Sequence, residues 1–251
     1  MEEIKMFEIN ENIGEEAGSF RVACIGKTAE IWKRQSFAEE FMLLEGNPVD
    51  SSSWKGVDVG FLLADAENEE DVKNFPKAIE AADAMGISVL IPILISTEPI
   101  ELAGLLTINP EQYAGEDEIY RDIYQAVKSI YDIACIPGLV KLDLCDVQTV
   151  CKDKKKILLA TGEAKGKNAS MAAAEKAMSK LTKQDEQAQR SGKDVLLNVT
   201  GSEEHLSMFE IQEVSETLCE WLKNKEAAII WGASIDNSLT DVIRVSILMG
   251  I

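Results

Sequence analysis

Apolar segments of strand length alternate with helical patterns over the first half of the chain. Residues 20–26, 57–65 and 87–95 are almost wholly apolar, as buried strands are. Helical patterns over residues 28–46 and 68–86 separate them. Buried strands that alternate with helices predict a parallel sheet that is covered on both faces.

Two helices have recognisable signals. In residues 68–86, Asn68 is a suitable N-cap and Gly86 a stop, while Pro76 should start or kink the helix. Further along, apolar residues recur at helical spacing and predict a long amphipathic helix that ends before Pro137. They are Ile119, Ile123, Ala126, Val127, Ile130, Ile133 and Ala134.

The second half mixes strands and helices. Ser207 and Glu210 have the spacing of a capping box at the start of a helix. Residues 182–193 form a polar connection, and Trp221 and Trp231 lie in apolar patterns typical of core residues, whereas Trp32 and Trp54 are not assigned. The predicted strands are residues 155–164, 193–201, 226–235 and 241–251, and the predicted helices are 168–181 and 207–222.

Charge divides the chain into two parts. The formal net charge is −19, with 27 acids and 10 bases in residues 1–140 but 17 acids and 15 bases in residues 141–251. We therefore expect an acidic arm (1–19), a first unit (20–115), a connecting helix (116–137) and a second unit (138–251). An acidic surface of this size disfavours nucleic acid and anionic membranes, which need neutralising Lys and Arg.

Several other classes are disfavoured. No run of 18 apolar residues exists, and the N-terminus, MEEIKMFEIN, has no signal-peptide pattern. The cysteines are odd in number and show no CxxC spacing, so we expect reduced thiols in a cytoplasmic protein, with no disulfide frame and no metal site. They are Cys24, Cys135, Cys145, Cys151 and Cys219.

Four ordered segments from about Tyr131 to Ile251 resemble the C-terminal half of the FtsZ/tubulin family. They are PGLVKLDLCDVQTV, LLATGEAKGKNASMAAAEKA, VLLNVTGSEEHLSMFEIQEV and IIWGASIDNSLTDVIRVSILMGI. The first resembles the family's catalytic loop, of the form GLxNxDFADVxTV. The resemblance implies an α/β fold: a shortened Rossmann-like parallel-sheet N-terminal domain, joined by a central helix to an α+β C-terminal domain of FtsZ/tubulin type.

The resemblance also implies a role for Asp143 and Asp146. In the family, the two acids of this loop reach GTP held by the next subunit of a filament and polarise the attacking water. Both acids are present here, but Lys141 replaces the family's Asn. Two roles stay open: action on a partner's GTP, or capping of the following helix. Gly138, Lys141, Asp143 and Asp146 are interface candidates, and we expect no catalytic residue that acts within the chain itself.

The family's glycine-rich phosphate loops are missing. Gly26, Lys27 and Thr28 do not complete a GxxxxGK loop, because Arg21 stands where its first glycine is required. Where the family has GGGTGTG, this chain has DAENEEDVKNF, with Asp65, Glu67, Glu69, Glu70 and Asp71. Two like charges about 4 Å apart cost on the order of 4 kcal/mol at an effective dielectric near 20. These acids form either a site that repels nucleotide phosphates or a solvated helix start. Both interpretations predict a degenerate family member that binds neither GTP nor another cofactor.

Three functions follow from this pattern. The chain could dock on filament-forming family members and cap or modulate them, associate with itself as a nucleotide-independent scaffold, or remain a divergent GTPase with an altered site. The chain ends at its last strand, so recruitment by membrane adaptors is not expected.

His205 is expected to be a surface residue. Lys152, Lys154, Lys155 and Lys156 form either a solvated turn or a contact for an acidic partner.

Overall fold

The computed structural model describes residues 19–251 apart from 99, 101 and 137. The predicted acidic arm therefore lies outside the described residues, except for Ser19. Its backbone N–H donates to Asp58 at 2.7 Å. No helix within the described ranges is long and apolar enough to cross a membrane.

The first unit is a four-stranded parallel sheet in the order β1-β2-β3-β4. Its elements are β1 (Phe20–Cys24), α1 (Lys27–Arg34), β2 (Val59–Asp65), α2 (Glu69–Ala84), β3 (Val89–Ile95) and β4 (Leu106–Ile108). Alternate residues of β2 lie in different core clusters: Phe61 and Leu63 in one, Leu62 and Ala64 in the other. Because successive strand residues point to opposite faces, the predicted two-sided covering is confirmed.

Local signals determine where α2 begins and ends. The Asn68 side chain accepts from the backbone N–H groups of Glu70 (3.0 Å) and Asp71 (3.4 Å), as predicted for an N-cap. Pro76 lies inside the helix without ending it. Gly86 has a φ of 71°, a left-handed conformation that glycine adopts without strain.

The helix predicted over residues 28–46 is wrong beyond Arg34, where α1 ends. The chain then runs beside β1, with Val22 N–H donating to Met42 O at 3.0 Å and Leu44 N–H donating to Val22 O at 2.9 Å. Phe37 stacks on Tyr124 with ring centroids 4.4 Å apart. Tertiary packing of this segment therefore overrides its helix propensity. The short strand β4 was also not predicted.

A helix of 20 residues, α3 (Glu116–Cys135), carries the chain from the first unit to the second, as predicted. At 1.5 Å per residue it is about 30 Å long. Its buried positions include Ile119, Ile123, Val127 and Ile130, which are all in the core cluster that contains Phe61 and Leu63 of β2.

The second unit contains a five-stranded mixed sheet in the order β5-β8-β7-β9-β6, with β7 parallel to β8 and the other pairs antiparallel. A short helix, α6, lies in the segment predicted as a polar connection. The elements are β5 (Gly138–Val140), α4 (Leu144–Cys151), β6 (Ile157–Lys165), α5 (Ala169–Gln184), α6 (Ala188–Ser191), β7 (Asp194–Gly201), α7 (Met208–Trp221), β8 (Ala228–Ile235) and β9 (Val242–Gly250).

The four tryptophans differ from expectation. Trp32 and Trp54, left unassigned, are fully buried. Trp221 and Trp231, predicted as core, are only partly buried and pack against the edge of the second unit's core cluster. The prediction that Trp221 and Trp231 are core residues is therefore wrong, because both side chains lie at the margin of the core.

Backbone hydrogen bonds and a shared core join the two units. Gly104 N–H donates to Lys154 O at 2.9 Å, and Ile157 N–H donates to Leu105 O at 3.1 Å. The cluster that contains Phe61 also contains Leu248 of β9. The second sheet thus packs on the first unit through one continuous hydrophobic core.

A buried ion-pair network ties α3 to the second sheet. Arg244 of β9 donates from Nη1 to Asp132 of α3 at 3.0 Å and from Nε to Glu163 of β6 at 2.7 Å. Lys128 Nζ lies 2.9 Å from the second oxygen of Asp132. Burial raises the pKa of Asp132, and the two cations work against that rise.

We expect Arg244→Met to lower the free energy of unfolding by about 3–5 kcal/mol, because it removes one partner of a buried charge pair. Denaturant unfolding measures the change. The matched control is Lys165→Met, which breaks an exposed pair with Asp241 and should cost no more than about 1 kcal/mol. Equal costs for the two variants would contradict the assignment of Arg244 as the link between α3 and the sheet.

Candidate functional site

The loop after α3 holds both predicted acids at the start of α4. Asp143 is the N-cap: its Oδ1 accepts from the backbone N–H groups of Cys145 (2.8 Å) and Asp146 (3.1 Å). In return, Asp146 Oδ2 accepts from Asp143 N–H at 2.9 Å. These bonds form a reciprocal capping box. The second oxygen of each carboxylate lies outside the capping contacts.

Close backbone approach fixes this loop against β8. Gly138 pairs opposite Ser234, and a Cβ at Gly138 would lie 2.1 Å from Ala233 O, so only glycine fits. Leu142 is buried over Gly232, where a Cβ would lie 2.4 Å from Leu142 Cγ.

The rest of the loop faces solvent. Gly138, Lys141 and Asp143 are exposed, Asp146 is half-buried, and Leu139 is 51% exposed. We call residues 138–146 the loop pole. It brings all four predicted interface candidates onto one surface segment.

At the other end of α3 lies a second cluster, here called the acidic pole: Gly26, Lys27, Asp65 and Asp71. It sits at the carboxyl ends of β1 and β2, where open α/β sheets bind ligands. Lys27 Nζ lies 3.0 Å from Asp65 Oδ2. Asp71 is fully buried and Asp65 is 8% exposed.

The Asp71 carboxylate packs directly against the Gly26 backbone. A Cβ at Gly26, whose φ is 57°, would lie 2.0 Å from Asp71 Oδ1. The other oxygen, Oδ2, accepts from Asp65 N–H at 3.4 Å. The space beside Gly26 is therefore filled by a side chain of the protein itself.

Backbone donors near this cluster are also engaged. Asp65 Oδ1 accepts from Glu67 N–H at 3.0 Å, and Asn68 caps the first N–H groups of α2. Thr28 Oγ1 donates to Ile25 O (2.6 Å) and Leu63 O (3.2 Å), so its hydroxyl points into the protein. At the start of α2, internal oxygens therefore occupy backbone N–H groups that a phosphate would need, whereas the start of α1 has no side-chain cap at Gly26.

The acid run divides into two groups, so neither sequence interpretation holds alone. Glu67, Glu69 and Glu70 are exposed, as in a solvated helix start, whereas Asp65 and Asp71 are buried. The burial of Asp71 was missed. A signal for it exists, because Asp71 lies on the same face of α2 as the buried residues Phe75 and Ala78, at steps of four and three.

Burial shifts the acid–base properties of this cluster. Desolvation raises the pKa of Asp71, and its Oδ1 makes no hydrogen bond within the described residues. A hydrogen bond to Asp65 raises the pKa of Lys27. Tyr120 of α3 is buried nearby with its pKa raised, mainly by desolvation and further by charges that include Asp65 and Asp71. The acidic pole thus adjoins the first turns of α3.

The remaining candidates lie elsewhere. His205 is exposed and its Nδ1 lies 2.9 Å from Ser202 Oγ. In the lysine cluster, Lys154 pairs with Asp194 and Lys156 with Asp185, so two of the four lysines serve intramolecular contacts.

Burial raises the pKa values of Cys24 and Cys151 to about 12, which makes both thiols poor nucleophiles. Across the described ranges, no group of three or more His, Cys, Asp or Glu could hold a metal ion.

Comparison with protein families and curated proteins agrees with the motif resemblance. Residues 156–251 match the model of the FtsZ family, C-terminal domain. Cell division protein FtsZ of Caulobacter vibrioides (strain NA1000 / CB15N) is 36% identical over 126 residues, which is 50% of this chain and 24% of the relative. Cell division protein FtsZ 2 of Rhizobium meliloti (strain 1021) is 37% identical over 128 residues, 51% of this chain and 36% of the relative. The matched part thus spans only about a quarter to a third of these relatives.

Solved structures of low sequence identity share the fold. An empty FtsZ dimer from M. jannaschii has a TM-score of 0.63 at 19% identity, covering 88% of this chain and 68% of that chain. The type III plasmid segregation protein TubZ has a TM-score of 0.62 at 11% identity, covering 96% and 91%. The GDP-bound monomer of CetZ1 from Haloferax volcanii has a TM-score of 0.60 at 15% identity, covering 78% and 65%. The predicted fold class, a parallel-sheet domain joined by a helix to a mixed-sheet domain, is confirmed.

Removal of the N-cap should destabilise the loop pole. We expect Asp143→Ala to lower the free energy of unfolding by about 1 kcal/mol, because two backbone N–H groups lose their acceptor. Asp143→Asn should be nearly neutral, since Asn is an equally good cap. Thermal unfolding of the two variants side by side measures the difference. If both variants lose the same stability, the carboxylate charge matters here and not the cap.

Asp71 should contribute a pH dependence of stability with a defined sign. Because its folded pKa is raised, the folded protein holds this proton more tightly than the unfolded chain does. Its contribution to stability therefore increases as the pH falls through the folded pKa toward 3.8, the ordinary pKa of an aspartate side chain. We expect Asp71→Asn to remove that part of the pH profile, measured by denaturant unfolding between about pH 4 and pH 7. Glu70→Gln, an exposed neighbour, is the control; an Asp71→Asn profile parallel to the parent's would show that Asp71 does not titrate in this way.

Proposed function

We propose, from the match of residues 156–251 to the C-terminal domain of the FtsZ family and from the shared fold, that the chain is a member of the FtsZ/tubulin family that acts on the assembly of filament-forming members without binding GTP itself. In this proposal it is a degenerate member, with no catalytic residue acting in its own chain, that caps or modulates polymers in cell division or cytoskeletal assembly in the cytoplasm. Its partner is an FtsZ-like subunit or a second copy of itself.

The observation that carries the proposal is the Asp71 carboxylate packed against Gly26. A nucleotide phosphate at this sheet edge would have to displace a buried side chain and then face Asp65 as well. Two like charges about 4 Å apart cost on the order of 4 kcal/mol at an effective dielectric near 20. Lys27, the nearby cation, is already paired with Asp65. An internal carboxylate thus takes the place of a bound anion.

The loop pole supports the other half of the proposal. Its exposed segment keeps both acids of the family's loop, and the Leu139 side chain is 51% exposed beside them. The acidic pole adjoins the start of α3, and the loop pole follows its end, so about 30 Å of helix separates the two. A subunit that docks only through its loop pole would join one end of a filament. Its acidic pole would offer no nucleotide to the next subunit.

The proposed division of labour follows the proposed domains. The first unit (20–115) is a remnant of a nucleotide domain, the connecting helix (116–137) sets the spacing, and the second unit (138–251) carries the docking surface. We do not propose contacts with nucleic acid or a direct contact with membrane, because the net charge of −19 opposes both.

A scaffold that assembles with itself is the second candidate, and the charge distribution favours it. The first unit is strongly acidic, whereas the second unit exposes Lys152 and Lys155. Head-to-tail contacts could therefore pair opposite charges. Sedimentation without nucleotide separates this candidate from capping, because a monomer at high concentration excludes it.

Calorimetric titration with GTP and GDP tests the acidic pole. We expect no heat of binding up to millimolar nucleotide, because internal groups fill the site and repel phosphate. A polymerising FtsZ serves as the positive control. Micromolar binding that is altered by Asp65→Asn or Asp71→Asn would place a nucleotide at this pole and end the proposal.

Co-assembly tests the loop pole. Mixed with a polymerising FtsZ and GTP at stoichiometric amounts, the protein should lower light scattering and change phosphate release. Asp143→Asn keeps the helix cap, so it separates the two roles. If the Asp143 carboxylate acts on a partner's GTP, phosphate release with Asp143→Asn should be lower than with the parent protein, and light scattering should equal that of the parent. If Asp143 only caps, neither signal should differ from the parent.

Leu139→Asp tests docking itself, because it places a charge on the apolar part of the pole. We expect it to abolish the effect on scattering. Glu175→Gln, an exposed position on α5, is the matched control and should behave like the parent. No change in scattering or phosphate release with the parent protein would count against capping.

A further inference from the structure

A cleft of about 720 Å³ lies between the two units, beside the edge strand β4. One wall is the chain that follows β3 and surrounds β4. The other wall consists of Lys155 and Lys156, just before β6, and Lys183 and Gln184 at the end of α5. Small-molecule sites occupy about 300–1,000 Å³, so the cleft has the size of a ligand site. No residue of the acidic pole or the loop pole lines it.

The second-unit wall is cationic in a chain that is otherwise acidic. Three lysines line the cleft, and among the described lining residues the single carboxylate is that of Glu98. Lys156 is held by Asp185 at 3.1 Å and by Gln184 O at 3.2 Å. The ammonium groups of Lys155 and Lys183 make no ion pair within the described part of the chain. Two cations are therefore available to a ligand, and they favour an anion.

The described residues of the first-unit wall are half apolar and half polar, six of each kind. Ile100 is 39% exposed, although large apolar side chains usually avoid solvent. The hydroxyls of Thr97 and Thr107 make no hydrogen bond to described residues. The apolar lining comprises Ile100, Leu102, Ala103, Leu105, Ile108 and the ring of Tyr113.

We propose that this cleft binds an amphipathic organic anion: a carboxylate or phosphate head between Lys155 and Lys183, and an acyl or aromatic body on the apolar wall. A bare inorganic anion would leave the apolar wall in water. An apolar neutral molecule would leave the lysines unused. The cleft is independent of the proposed nucleotide loss and of docking at the loop pole.

Binding at this place should also stabilise the packing of the two units. Hydrogen bonds already link the walls: Gln112 Nε2 donates to Lys183 O at 3.1 Å, and Gly104 N–H donates to Lys154 O at 2.9 Å. A ligand that touches both walls binds the folded protein and not the unfolded chain. It must therefore raise the melting temperature, by an amount that grows with the logarithm of the ligand concentration above Kd.

Calorimetric titration of the full chain with three ten-carbon probes tests the site: decanoate, decyl phosphate and decyltrimethylammonium. The first two share the tail and differ in the anionic head, so their relative affinity identifies the preferred head group. The third has the same tail with a cationic head. We expect saturable binding of at least one anion, weakened by salt, and none of the cation or of inorganic phosphate.

The double variant Lys155→Gln/Lys183→Gln should weaken anion binding about tenfold, which is about 1.4 kcal/mol, because it removes both cations that contact the anionic head. Lys225→Gln, an exposed lysine outside the cleft, should bind like the parent. Thermal unfolding of each variant, alone and with probe, gives an independent readout. Equal binding of the cationic probe, absence of binding by both anions, or an unchanged affinity in the double variant would each overturn the proposal.

Discussion

The buried contact between Arg244 and Asp132 is the constraint on which the rest of the molecule depends. It joins the last strand of the second sheet to the helix that connects the units, with both side chains at most 6% exposed. A guanidinium stays charged in a protein interior, so it must keep its carboxylate partners. Because α3 cannot rotate or slide without breaking this contact, its two ends hold fixed positions. The acidic pole and the loop pole are therefore presented at a constant separation.

The acidic pole shows how ordinary packing can fill the carboxyl edge of a parallel sheet, where open α/β sheets bind ligands. Asp71 reaches it from the first buried turn of α2, and Gly26 allows the approach because it has no side chain. Neither residue is unusual alone. The closed position arises from one carboxylate on the buried face of a helix, next to a glycine whose backbone it touches.

Much of the architecture could be predicted from periodicity, because buried strands and an amphipathic helix leave regular patterns. The α3 stripe and the capping residues Asn68 and Ser207 are local signals and were found. Residues 35–46 and the strand β4 depend on contacts with distant elements, so no local pattern predicts them. Arg244 lies in a strand whose residues 243–250 are all buried, and so alternation cannot single it out.

The candidate site shows the same division. The Asp143 cap is encoded in four consecutive residues and was one of two interpretations considered. The position of Asp71 against Gly26 joins two segments more than forty residues apart, which spacing alone does not bring together.

The single hydrophobic core shared by both sheets has an evolutionary consequence. Phe61 of the first unit and Leu248 of the second lie in one cluster, so removing either unit would strip the apolar covering from the other. Evolution can therefore rewrite the loops at the strand ends, which leaves this shared core intact. It cannot discard either sheet, because each sheet is the wall against which the other unit packs.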